Sequence, residues 1–212
     1  MGNFESFNPL DISYNIVDLY LKKYQTQQAL EQVPQYTTNE LKKWEGNYEI
    51  FPGNFFTLVA KNDSLYFQPF TSKETYPLPV LSEKTFSFPY APHSKMEFTN
   101  KGLVWHFSDM AYLCKKASIN LPDKANIDLN DFTGLYLNEE LKTSYKLINK
   151  EGTLIAIHPL NNDIVLQPLA KDEFYSNQSF FGRIKFIRNN ENKIVGFKLS
   201  GQNLNKTFKK IE

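Results

Sequence analysis

Three histidines, one cysteine and two close pairs of carboxylates are the side chains of this 212-residue sequence whose types could do chemistry. His93, His106 and His158 could ligate a metal, but none stands at metal-ligand spacing from another ligand, and each reads as a structural or surface histidine. Asp128 with Asp131, and Glu139 with Glu140, could act as acid and base. Nothing in the sequence sets one pair across a cleft from the other, so they read as helix caps and solvated surface. Cys114 has no partner for an internal disulfide and falls in a strand pattern, which points to a buried, inert thiol. Calcium-loop, Walker and dinucleotide glycine patterns are absent, and nine glycines leave little room for them. Trp44 and Trp105, among 18 phenylalanines and 12 tyrosines, could line a pocket or form core. The expectation is therefore no catalytic residue, no metal, no cofactor, and a ligand-binding surface that the residues do not assign.

The elements that must position these groups come from a repeat. Leu41, Trp44, Gly46 and Tyr48 recur as Leu129, Phe132, Gly134 and Tyr136, 88 residues later. The shared pattern is Leu-x-x-aromatic-x-Gly-x-Tyr. It continues through Phe56-Thr57-Leu58 against Tyr145-Lys146-Leu147, Met96-Glu97-Phe98 against Ile184-Lys185-Phe186, and Leu103-Val104 against Ile194-Val195. Each copy closes on an aromatic near a lysine pair, Tyr112 with Lys115-Lys116 and Phe208 with Lys209-Lys210. The period is too long for a solenoid unit and suits a small domain per copy.

Within each copy the pattern is short strands and turns. The spacing predicts strands over 46–51, 55–60, 64–69, 75–80, 85–88, 95–99, 103–107 and 111–116 in the first copy. In the second it predicts 134–139, 143–148, 153–158, 163–168, 172–175, 183–188, 193–199 and 206–211. Asn62-Asp63 and Asn100-Lys101-Gly102 supply hairpin turns. Pro77 and Pro79 make the fourth strand of the first copy irregular. Thr37 and Glu40 form a capping box ahead of the first Gly46. Eight short strands per copy predict an up-and-down barrel, because closure removes exposed edges. Ahead of the barrels, Asn8 as N-cap, Pro9, and Ile12, Ile16 and Leu19 at helical spacing predict an amphipathic helix over 8–23, stopped by Pro34. The expected fold is thus all-β: two tandem eight-stranded antiparallel β-barrels after an N-terminal α-helix. The expected domains are residues 1–34, 35–119 and 120–212.

Net charge is +1 and lysines are scattered, so no basic stripe points to nucleic acid or to an anionic membrane. No apolar run reaches the ~20 residues of a membrane-spanning helix, and the first residues do not read as a signal peptide.

Trp44-Glu45-Gly46-Asn47-Tyr48 resembles the opening strand of a lipocalin-like barrel. The closer resemblance is to the C-terminal region of serine β-lactamase-like hydrolases, the penicillin-binding-protein and CubicO group, where such an entry opens a lipocalin-like domain behind the catalytic one. The resemblance implies a bacterial, periplasmic or secreted protein and an accessory module whose partner is its own upstream hydrolase domain. It implies that helix 8–23 is the last helix of that domain, exposed to self-association when the domain is missing. The family nucleophile pattern Ser-x-x-Lys does not occur, and no Lys-Thr-Gly does either, Lys142-Thr143 being followed by Ser144 and Lys206-Thr207 by Phe208. Tyr175-Ser176-Asn177 fits Tyr-x-Asn, alone a weak signal. The expectation is a non-enzymatic accessory module for gating, scaffolding or assembly. The alternative is a binder of a small hydrophobic or peptide ligand, with the first copy the better candidate for a cavity.

Overall fold

The computed structural model of the chain describes residues 16, 33–89, 91, 93–119, 121–123 and 127–211. The expected helix over 8–23, and any self-association through it, lies outside the described residues except for Ile16, which is helical.

Each repeat opens the same way. A one-turn helix α1 (Thr38–Leu41) runs into a 3-10 turn (Lys42–Trp44) and then into β1 (Gly46–Phe51). In the second copy a 3-10 turn (Leu129–Phe132) runs into β10 (Gly134–Asn138). Thr37 and Glu40 form the expected capping box, and Asp128 caps the second turn by accepting from the Asn130 N–H. The conserved pattern between copies has a physical reason. Gly46 and Gly134 sit at φ +136° and +141°, where a side chain is disfavoured. That bend lets the tyrosine two residues on reach back. Tyr48 Oη donates to the Trp44 carbonyl at 2.8 Å, and Tyr136 Oη donates to the Phe132 carbonyl at 2.8 Å. Leu41, Trp44 and Tyr48 are buried under the first barrel, and Phe132 and Tyr136 under the second, with Leu129 packed at its margin.

The second sheet is a closed barrel in which each strand pairs antiparallel with the next: β10, β11 (Thr143–Lys150), β12 (Thr153–His158), β13 (Asn161–Ala170), β14 (Glu173–Tyr175), β15 (Arg183–Arg188), β16 (Ile194–Ser200) and β17 (Asn205–Lys210). It closes where Tyr136 and Leu137 pair with Lys210 and Lys209. The first sheet corrects the expectation of eight strands. It has nine: β1, β2 (Asn54–Lys61), β3 (Ser64–Pro69), β4 (Tyr76–Leu78), β5 (Val80–Ser82), β6 (Thr85–Ser87), β7 (Lys95–Thr99), β8 (Gly102–Phe107) and β9 (Met110–Ala117). They run in the order β4-β3-β2-β1-β9-β8-β7-β6-β5. β4 and β5 together take the place of the single strand β13, and Pro79 separates them. The Ser87 N–H still bonds the Pro79 carbonyl at 2.8 Å. Proline has no N–H to return, so the ladder stops there and the barrel is nearly, not fully, closed.

Strand pairing also corrects the end of the repeat. Leu103 pairs with Phe98 and with Cys114, as Phe197 pairs with Phe186 and with Phe208. Cys114, not Tyr112, is therefore the counterpart of Phe208, and Leu103 is the counterpart of Phe197 rather than of Ile194. Cys114 faces the core, and burial pushes its thiol up to about 11. Asn62-Asp63 makes the expected tight turn with both residues at positive φ, 48° and 54°. The Asp63 carboxylate then accepts from the Thr38 N–H at 2.7 Å, tying that hairpin to α1.

The tyrosine bonds make a stability prediction. Burial pushes the Tyr48 phenol up from 10.0 to about 12 and raises Tyr136 further. A raised acid contributes stability that is fully present below its unfolded pKa and is lost as pH rises through its folded one. The urea midpoint should therefore fall between pH 10 and pH 12. At neutral pH, Tyr136→Phe should cost about 1–2 kcal/mol by leaving a buried carbonyl unpaired. Urea melts of wild type, Tyr48→Phe and Tyr136→Phe check both, and a variant as stable as wild type would contradict the role given to the bond.

Candidate functional site

The two barrels meet through backbone. Gly53, in the turn between β1 and β2, packs on Gly182, just before β15. A Cβ on Gly182 would lie 1.9 Å from the Pro52 carbonyl oxygen, and one on Gly53 would lie 2.2 Å from the Gly182 oxygen. Only two glycines allow that approach. Around it sits a three-ring contact: Phe55 and Phe70 from the first barrel lie 5.1 Å apart, and Tyr175 from the second lies 5.8 Å and 5.5 Å from them. Ala117, Ile119 and Leu169 complete this small core. The Arg183 guanidinium stands 5.4 Å over the Phe55 ring and 3.6 Å from the Glu49 carboxylate, which also accepts the Gly53 N–H at 2.8 Å. The Arg183 Nε is buried with no partner among the described residues.

Beside this junction a cleft opens at the end of the first barrel. A cavity of about 440 Å³ is lined by Ile50, Phe56, Phe67, Trp105, and Tyr175 and Asn177 of the second barrel. Two of its ring contacts are edge to face, Phe56 lying 5.4 Å and Phe67 5.6 Å from Trp105, and Phe88 packs against the same rings, 5.1 Å from Phe67 edge to face and 5.1 Å from Trp105 at a tilt. Phe67 and Trp105 remain half-buried. The indole is held in place: Trp105 Nε1 donates to Ser94 Oγ at 2.7 Å, and Ser94 Oγ donates to the His106 carbonyl at 3.0 Å.

The second barrel is plugged at the matching place. Ser176 N–H bonds the Gly182 carbonyl at 2.8 Å, as Phe88 N–H bonds the Ser94 carbonyl at 2.9 Å, so the two loops correspond and Phe181 stands where His93 does. Phe181 is fully buried, 4.5 Å from Tyr145 and 6.3 Å from Phe197, whereas His93 is exposed at φ +61°. Trp105 stands where Leu199 does, by the pairing of Met96 and of Ile184. One substitution removes the plug and the other adds a flat wall.

The residues singled out for chemistry fall elsewhere. Trp44 is core at the closed end, stacked 4.6 Å from Phe98, so of the two tryptophans only Trp105 reaches the mouth. His106 Nε2 is 3.1 Å from Glu97, and His158 Nε2 is 2.7 Å from Thr143 Oγ1, each on its own strand surface. Asp131 lies 3.5 Å from Arg188, Glu139 lies 4.0 Å from Lys209, and Glu140 pairs with Lys206. Among the described residues no group of three potential ligands could hold a metal, and no helix is long and apolar enough to cross a membrane. Tyr175 and Asn177 do line the mouth, but the Ser176 hydroxyl between them donates to the Phe181 carbonyl at 2.6 Å, and burial raises the Tyr175 phenol. That arrangement holds a loop. Phe67 was not singled out in the sequence, since nothing local separates a mouth-lining aromatic from a core one.

Arg188, on β15, stands 5.6 Å over Phe132, held by Asp172 at 2.8 Å.

No protein-family model matches the chain, and no curated protein matches it. The site must therefore be read from its own chemistry.

Phe181→Ala should unplug the second barrel. The expected cost is about 3–5 kcal/mol, with new binding of a hydrophobic dye, measured by urea unfolding and dye titration of the same variant. Wild-type stability would show that Phe181 does not fill the core.

Proposed function

We propose that this chain is a non-enzymatic binding module, built of two lipocalin-like barrels, whose site is the mouth of the first barrel. It takes a small hydrophobic ligand or an apolar side chain of a peptide. The observation that supports this most is the contrast between the barrels: one mouth is filled by Phe181, and the other is a cavity of about 440 Å³ faced by half-buried Phe67 and Trp105. A cavity of a few hundred cubic ångströms lined by aromatics, with a few polar groups at its rim, suits a ligand of that class. Asn54 and Asn177 supply the polar rim.

Thermal-shift screening with aromatic and aliphatic compounds tests it. A ligand at one hundred times its dissociation constant should stabilise by about 2.7 kcal/mol. Its binding should quench Trp105 and be lost in Phe67→Ala. Binding that survives in Phe67→Ala, or no shift across a wide panel, would overturn the site.

The wider setting is an accessory region of a serine β-lactamase-like hydrolase. The paired Leu-x-x-aromatic-x-Gly-x-Tyr entries favour it. A native protein with no Ser-x-x-Lys catalytic domain would sink that setting without touching the binding site.

A further inference from the structure

A second cleft adjoins the mouth. It holds about 570 Å³ and runs between β13 and residues 176–178, with Thr71, Leu121 and Pro122 at its sides. Strand pairing explains why it exists. Gln167, Pro168 and Ala170 of β13 pair with β14, in the register Gln167 to Tyr175. Continued antiparallel, that register would set residues 176–179 beside 166–163. The chain turns away instead. Ser176 gives its N–H to the Gly182 carbonyl and its hydroxyl to the Phe181 carbonyl, closing the loop that buries Phe181. Among the described residues, the loop that plugs the second barrel thus leaves one side of β13 uncovered. From Asn161 to Leu166 the strand pairs with β12 on one side and with no described strand on the other.

We propose that an extended peptide from a partner protein lies in this cleft and adds as a strand to β13. A strand edge offers backbone N–H and C=O groups in alternation, and only another extended backbone matches that row. Edges that are kept apart from other chains carry lysine or proline. The segment Asn161-Asn162-Asp163-Ile164-Val165-Leu166 carries neither, and its one irregularity is a register shift against β12 between Asn161 and Ile164. Among the described residues Asp163 is the one charged residue lining the cleft, so the peptide carries a lysine or arginine opposite it. Val165 is 46% exposed, and Leu121 is 53% exposed at the side of the cleft, so alternate peptide side chains are apolar. Tyr175 and Asn177 line both the cleft and the mouth of the first barrel. A hydrophobic residue at one end of the peptide therefore reaches the aromatic mouth. That anchoring rests on the reading proposed above; the strand addition does not.

The test pans a phage-displayed random octapeptide library on the full chain and then resynthesises the enriched sequence. Expected are alternating apolar residues with one basic residue. In the NMR spectrum, peptide should slow amide exchange within residues 161–166. N-methylation of alternate peptide amides should weaken binding at least tenfold in one phase and little in the other, because only one set faces the edge. Asp163→Lys should weaken binding at least tenfold and be rescued when the basic residue is exchanged for glutamate. A parallel titration with a free aromatic probe reports on the mouth alone. Probe binding with no enriched peptide, or with peptide shifts confined to the mouth and no protection at 161–166, overturns the strand addition and leaves the mouth site standing. Strand protection without probe binding overturns the mouth and keeps the strand. A concentration-dependent dimer of the chain alone that Asp163→Lys dissolves makes a second copy the occupant, and the proposal fails.

Discussion

Each barrel hangs on a tyrosine hydroxyl turned back onto the carbonyl of the aromatic residue four positions earlier. The bond requires a glycine at positive φ between them, and both copies have it, at Gly46 and Gly134. It ties the end of the entry turn to the start of the first strand. The entry aromatic is then held over the barrel end, where Trp44 packs on Phe86 and Phe98, and Phe132 packs on Phe174 and Phe186. The polar hydroxyl is satisfied without water, so the ring can be buried at no cost in unpaired groups. The recurring pattern is thus a local device for starting a barrel.

With both barrels started alike, their difference lies at the other end. There the aromatic content is spent in two ways. In the second barrel Tyr145, Phe181, Phe197 and Phe208 fill the interior with touching rings. In the first, Cys114 stands where Phe208 does, Leu103 where Phe197 does and His93 where Phe181 does, so three of those four rings are missing from the same region. Trp105 partly fills the space but is pinned by Ser94 and keeps one face at the mouth. The second barrel's Tyr175 then becomes part of that mouth, because the glycine contact at Gly53 and Gly182 draws the two barrels together there. The mouth is lined by residues of both barrels.

The same loop links both clefts. Phe181 is folded inward by the bonds from Ser176, and folding it inward removes the residues that would have continued the ladder along β13. A filled barrel and an uncovered strand edge are two consequences of one loop closure.

Much of this architecture was legible in the sequence. Alternating apolar residues, the Asn62-Asp63 turn and the repeat located almost every strand, because those signals act between near neighbours. The capping box at Thr37 and Glu40 was legible for the same reason. The break at Pro79 was half-legible: proline foretold an irregular strand, but the count of nine needed the pairing with Ser87. The counterpart of Phe208 was misread as Tyr112 because both end on a lysine pair, and only the cross-strand partner of Leu103 shows that Cys114 takes that place. The candidate site was barely legible. Phe67, Trp105 and Tyr175 have the composition of a core, and a ring is core or mouth according to what stands opposite it. The sequence by itself determined that two barrels form and how each begins, since turns, caps and alternation are local. Only the tertiary structure decided which barrel stays open, where the two touch and which strand is left uncovered, since each of those depends on contacts between residues far apart in the chain.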